Sequence, residues 1–170
     1  MKTFLNIILA VLLVSCGGAE QKEDHENQKE MEKKEINYLV FEFHDSSVPP
    51  PYHRSYSLEF KDDRVKIVVD SYGDILTDTL VVLGEDKVDK ALGYVNQFGV
   101  KSKIKNEEDE GCTGGTGISV SYGFDDETHC SGYVYFCAGE QFGDLSGELE
   151  ELKYALKELI PNFSQYLKED

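Results

Sequence analysis

Cysteine and histidine are the residues of this chain best suited to covalent or metal chemistry. Cys112, Cys130 and Cys137 fall in the C-terminal part, with His129 directly before Cys130. As a metal set, Cys112, His129, Cys130 and Cys137 have no paired CxxC spacing and so make a poor zinc site. As a nucleophile, Cys130 would need a base, but adjacent residues on a strand point to opposite faces, which turns His129 away from it. The remaining chemistry is a disulfide. If the chain turns around Asp125 to Glu127, Cys137 comes to lie across from the residues near Cys112. Cys112–Cys137 is then the first expected bridge and Cys112–Cys130 the second, either one a staple that closes a hairpin.

Other chemistry-bearing patterns are incomplete. His44, His53 and His129 have no accompanying GxSxG nucleophile turn. Carboxylates are plentiful without a pair that stands out. The segment GCTGGTG, Gly111 to Gly117, lacks the Lys-Ser/Thr of a phosphate loop and precedes a strand, so it reads as a sharp-turning loop. Acidic clusters at Asp62-Asp63, Glu107 to Glu110 and Asp125 to Glu127 match no EF-hand spacing and read as solvated turns. No cofactor, metal site or catalytic residue is expected from these patterns.

The stretch SVPPPYHRSY, Ser47 to Tyr56, is the one most suited to recognition. Three prolines stiffen it and so lower the entropy lost on binding. Tyr52, His53, Arg54 and Tyr56 add aromatic surface and a cation, residue types concentrated at binding hot spots. The competing reading makes the prolines a sheet-edge guard and the tyrosines core.

The N-terminus speaks to address. Lys2 precedes the run FLNIILAVLLV, Phe4 to Val14, which is too short for a bilayer span of about twenty residues. A positive start, a short apolar stretch and small residues are the parts of a secretory signal. Leu13-Val14-Ser15-Cys16 resembles the lipobox of bacterial lipoproteins. That resemblance implies cleavage before Cys16, with lipid on its sulfur and on the new amino terminus. Several acyl chains make such an anchor stable, at about 0.8 kcal/mol per buried methylene. Gly17 stands where aspartate would resemble an inner-membrane retention signal, and the acidic segment that follows resembles the export signals of Bacteroidetes lipoproteins. The expected place is therefore the bacterial envelope, most simply the outer membrane, on its periplasmic side or at the cell surface. Residues 16–36 are almost all charged or amide, too poor in apolar surface to order themselves, and read as a disordered acidic tether.

Residues 37–170 then form one domain. Its patterns alternate at strand spacing in Tyr38 to His44, Tyr52 to Phe60, Val65 to Val69, Ile75 to Leu83, Ile118 to Phe124 and Tyr133 to Cys137. Asp125 to Gly132 reads as a generous hairpin tip. Val88, Ala91, Leu92, Val95 and Phe98 recur at helical spacing before Gly99, and a longer helix runs from Leu145 to Ile160, broken near Pro161. The expected class is α+β, an antiparallel sheet of about five to seven strands with two helices on one face. A formal charge of −16 argues against a nucleic-acid partner. The reading that follows is a membrane-anchored, non-catalytic binding module for an envelope protein or small ligand. Its alternatives are an inhibitor of envelope proteases, or an envelope enzyme with a Cys/His site.

Overall fold

The computed structural model describes residues 35–104, 113–125 and 127–167. The chain divides into two units, 1–32 and 33–170, and every described residue belongs to the second. The signal, the lipobox cysteine Cys16, most of the tether and Cys112 lie outside the described residues.

Alternation in the first half builds a four-strand meander. Strands β1 (Tyr38–His44), β2 (Ser55–Lys61), β3 (Arg64–Ser71) and β4 (Asp74–Val82) pair antiparallel in succession. The β3–β4 turn holds Tyr72 at φ 53° and Gly73 at φ 94°, the left-handed pair that a two-residue hairpin demands. Helix α1 (Glu85–Gln97) carries the chain back across the sheet and stops before Gly99 at φ 62°. After the short strand β5 (Lys101–Ser102), the long strands β6 (Thr116–Phe124) and β7 (Glu127–Cys137) and then β8 (Glu140–Gly143) add to the other side of β1. The sheet order is β4-β3-β2-β1-β6-β7-β8, while β5 pairs with β9 (Leu145–Ser146) in a separate ribbon. Helices α2 (Leu149–Leu159) and α3 (Ser164–Leu167) complete the chain.

The register puts the apolar residues on one face. Phe41 stands between Leu58 on β2 and Val120 on β6, and Leu39 between Phe60 and Tyr122. Val88, Ala91 and Val95 of α1 and Leu152 and Leu156 of α2 close over them in one buried cluster. Truncating any of the fully buried large residues, Phe41 or Leu58 for example, is expected to cost about 2–5 kcal/mol. The α+β class and the antiparallel sheet of seven strands are as the sequence patterns indicate.

Several boundaries differ. The second helix starts at Leu149 rather than Leu145, because Gly147 sits at φ 134° and breaks the apolar periodicity, leaving Leu145 buried in β9. The hairpin tip is tight: β7 begins at Glu127 and pairs with Phe124, so His129 and Cys130 lie in a strand. Tyr52 to Arg54 precede β2 instead of joining it. Strands β8 and β9 carry no alternation long enough to mark them in the sequence.

Candidate functional site

The Pro/Tyr segment leaves β1 and returns into β2 at one end of the sheet, and Asp45 closes it at its base. Its Oδ1 accepts the Ser46 N–H at 2.8 Å, its Oδ2 accepts the Arg54 N–H at 2.9 Å, and its own N–H donates to Ser55 Oγ at 3.0 Å. The loop is also tied to the β3–β4 turn. Ser71 Oγ donates to the Pro50 carbonyl at 2.8 Å and the Tyr72 hydroxyl to that of Val48 at 2.6 Å. Within the loop, the Tyr52 N–H returns to the Pro49 carbonyl at 2.9 Å. A proline-rich loop fixed on two sides loses little freedom on binding.

The four residues singled out by sequence divide between surface and interior. Tyr52 is 74% exposed, whereas His53 is 6% exposed and packs under the loop. The His53 ring stacks on Tyr72, centroids 4.0 Å apart at 24°, and its Nδ1 has no hydrogen-bond partner among the described residues. Arg54 is a brace: its Nε donates to the Leu167 carbonyl of α3 at 2.8 Å and a terminal nitrogen to the His53 carbonyl at 2.7 Å. Tyr56 belongs to the core, stacked on Phe43 and edge-on to Phe163, both with centroids 5.2 Å apart. Burial first, then the nearby Glu150 carboxylate, holds its phenol well above the ordinary value.

The surface that remains consists of Tyr52, the exposed prolines Pro49 to Pro51, and Tyr72, which is 56% exposed. Tyr72 is not among the residues that the sequence singles out. Its signal was a bulky side chain at a position that favours Asn or Gly, where φ is positive. Such strain persists only where the surroundings hold it, here through the His53 stack and the bond to Val48.

The cysteines are set apart. Cys137 Sγ lies 3.9 Å from the carbonyl oxygen of Thr113. Cys130 is a free, buried thiol with its Sγ 3.3 Å from Ser102 Oγ. His129, its chain neighbour, is exposed and packs beside Tyr122 and Phe124, centroids 6.0 and 5.4 Å away. These three aromatic rings line a cavity of about 520 Å³ against Leu92 and Asn96 of α1. Tyr122 donates its hydroxyl to the Val100 carbonyl at 2.9 Å, and burial, then neighbouring Cys130, pushes its phenol up to about 12. Among the described residues no three His, Cys, Asp or Glu side chains are grouped to hold a metal ion.

Two glycines of GCTGGTG, Gly115 and Gly117, stand where neighbouring groups approach the backbone closely. A Cβ at Gly115 would lie 2.0 Å from the Phe136 carbonyl oxygen, and one at Gly117 would meet the Tyr133 ring at 2.5–2.9 Å. Their role is close strand packing rather than a phosphate cradle. One pairing with a catalytic appearance exists: His44 Nε2 lies 2.9 Å from Ser119 Oγ. The Glu42 carboxylate approaches the same nitrogen at 3.8 Å, and among the described residues no acid is shown orienting the ring through Nδ1, as a triad requires. Ser119 also sits mid-strand between β1 and β7, where backbone N–H groups serve the ladders instead of a developing oxyanion.

Among the described residues no helix is long and apolar enough to cross a membrane. No protein-family model, no curated protein and no solved structure matches the chain.

Proposed function

We propose that the chain is a lipid-anchored protein of the bacterial envelope, cleaved before Cys16. Its α+β domain is a non-catalytic binding module that engages an envelope protein through the tip of Tyr52, Tyr72 and the adjoining prolines. The observation that carries this reading is the braced tip. Of two exposed tyrosines, Tyr52 stands on the proline-rich loop and Tyr72 on the adjoining β3–β4 turn, and the hydrogen bonds of Asp45, Ser71 and Tyr72 brace the two together. Aromatic side chains fixed in this way bury a large area at small entropic cost, as an anchor in a partner's pocket must. The same bracing favours a second reading within this class, a stiff loop that enters the active site of an envelope protease and blocks it. A Cys112–Cys137 bridge would staple the start of β6 to the end of β7, consistent with Thr113 lying beside Cys137.

Site-specific photo-crosslinking in the native envelope tests the tip. A photoreactive phenylalanine at position 52 or 72 is expected to trap one and the same protein, and Glu59 on the open sheet face serves as the control position. Tyr72→Ala is expected to abolish the product formed from position 52. An identical pattern from position 59, or a product from 52 that survives Tyr72→Ala, contradicts the assignment. A trapped product whose proteolysis is inhibited by the purified chain would select the inhibitor reading.

A further inference from the structure

We propose a second binding site, on the open face of the sheet, for a neutral polyhydroxylated ligand of the oligosaccharide class. The face away from the helices has a hollow of about 440 Å³ across β1, β6 and β7. Its floor carries the small hydroxylated residues Ser119, Ser121 and Ser131 in register, with Val40 beside Ser121. Ser121 pairs with Ser131, and Ser119 sits between Glu42 of β1 and Tyr133 of β7. Serine and glycine are poor strand formers, and a solvent-facing sheet ordinarily carries longer side chains that would fill this space.

The walls supply directed chemistry. Asp144 stands at the rim with its Oδ1 accepting the Tyr133 N–H at 2.7 Å. It is seated close to the strand because Gly132 is there: a Cβ would lie 3.0 Å from that oxygen. Glu42 faces the hollow from β1. Tyr133 is 40% exposed, with its ring laid over Gly117 and its edge against His44, centroids 5.6 Å apart. Ionised carboxylates only accept hydrogen bonds, whereas serine hydroxyls both donate and accept. Two carboxylates, a floor of hydroxyls and an aromatic platform together suit a ligand of many alcohol groups with a flat C–H face. The formal charge of −16 disfavours an anionic ligand.

Saturation-transfer NMR on the full chain, held in zwitterionic micelles without sugar head groups, tests the site. The probes are cellotetraose and the β-1,4-linked tetramer of N-acetylglucosamine, each at up to about 10 mM, because a shallow site implies weak affinity. Transfer to the pyranose ring protons of at least one probe is expected. Glu42→Gln, which keeps the shape of the wall, and Tyr133→Ala should each weaken binding by about ten-fold. Ser121→Phe, which fills the floor, should abolish it, and Leu80→Ser on distant β4 should leave it unchanged. Circular dichroism confirms that each variant is folded. Absence of transfer to both probes, or transfer undiminished by Glu42→Gln and Ser121→Phe, overturns the proposal. Binding of pentalysine in place of either sugar also overturns it, by showing a cation site.

Discussion

The His53 ring lies flat on that of Tyr72, 4.0 Å between centroids, so a buried residue of one loop sets the position of an exposed residue on the next. Tyr72 in turn donates its hydroxyl to the Val48 carbonyl, and the two loops form one unit at the end of the sheet.

His53→Ala removes the stack and leaves a void under the loop. It is expected to cost about 2 kcal/mol in urea unfolding. His53→Phe keeps the ring and eliminates the buried Nδ1 that has no partner among the described residues, at the loss of only a long 3.4 Å contact between Nε2 and Ser55 Oγ, so it should be about as stable as the parent chain. A His53→Phe variant as unstable as His53→Ala would show that a polar contact of the imidazole, rather than its stacking, holds the tip.

Alkaline pH should destabilise the fold through its interior phenols. Tyr56 and Tyr122 are both held above the ordinary phenol value of 10, chiefly by burial. Between pH 10 and about 12 the unfolded chain releases protons that the folded chain retains. Their contribution is therefore fully present below pH 10 and is lost as pH rises through that window. Tyr56→Phe removes one such group, together with a buried hydroxyl that lacks a partner among the described residues. It should flatten the fall of the urea midpoint above pH 10 and raise stability at pH 7 by about 1 kcal/mol. An unchanged alkaline slope would show that Tyr56 is not among the residues responsible.

Cys130 should behave as a core residue rather than a reagent. Its thiol is buried beside Ser102, with His129 exposed next to it in the chain. Labelling with a thiol-reactive disulfide in native buffer should be at least about a hundred-fold slower than in denaturant, because access requires opening of the core. Rapid native labelling accompanied by loss of a hydrolytic or redox activity would support the enzyme alternative instead.

Much of the sheet is legible in the sequence because its two faces differ so sharply. The buried Leu39, Phe41, Leu58, Phe60, Val65 and Ile67 recur at every second position of their strands, and period two fixes both strand and register. Leu145 misleads for the opposite reason: it continues the helical spacing of Leu149 and Leu152, and only the backbone at Gly147 reveals the break. The tip is half legible. Composition marks Ser47 to Tyr56, yet which of its aromatic residues face outward depends on pairing with a turn some twenty residues on, as the Ser71–Pro50 bond shows. Arg54 reads as a free cation in sequence and is a tether to α3 in the fold, a contact across a span of 113 residues that no local pattern encodes. The serine floor of the open face is likewise invisible until β1, β6 and β7 lie side by side.

The measurement that bears most directly on an anchored binding module is mass spectrometry of the protein taken from its own membranes and alkylated without reduction. The expected result is a mature chain that begins at Cys16 with lipid on that residue, a Cys112–Cys137 bridge, and Cys130 modified only after denaturation. A chain whose Cys16 carries no lipid would contradict the anchor, and with it the placement of the binding domain in the envelope.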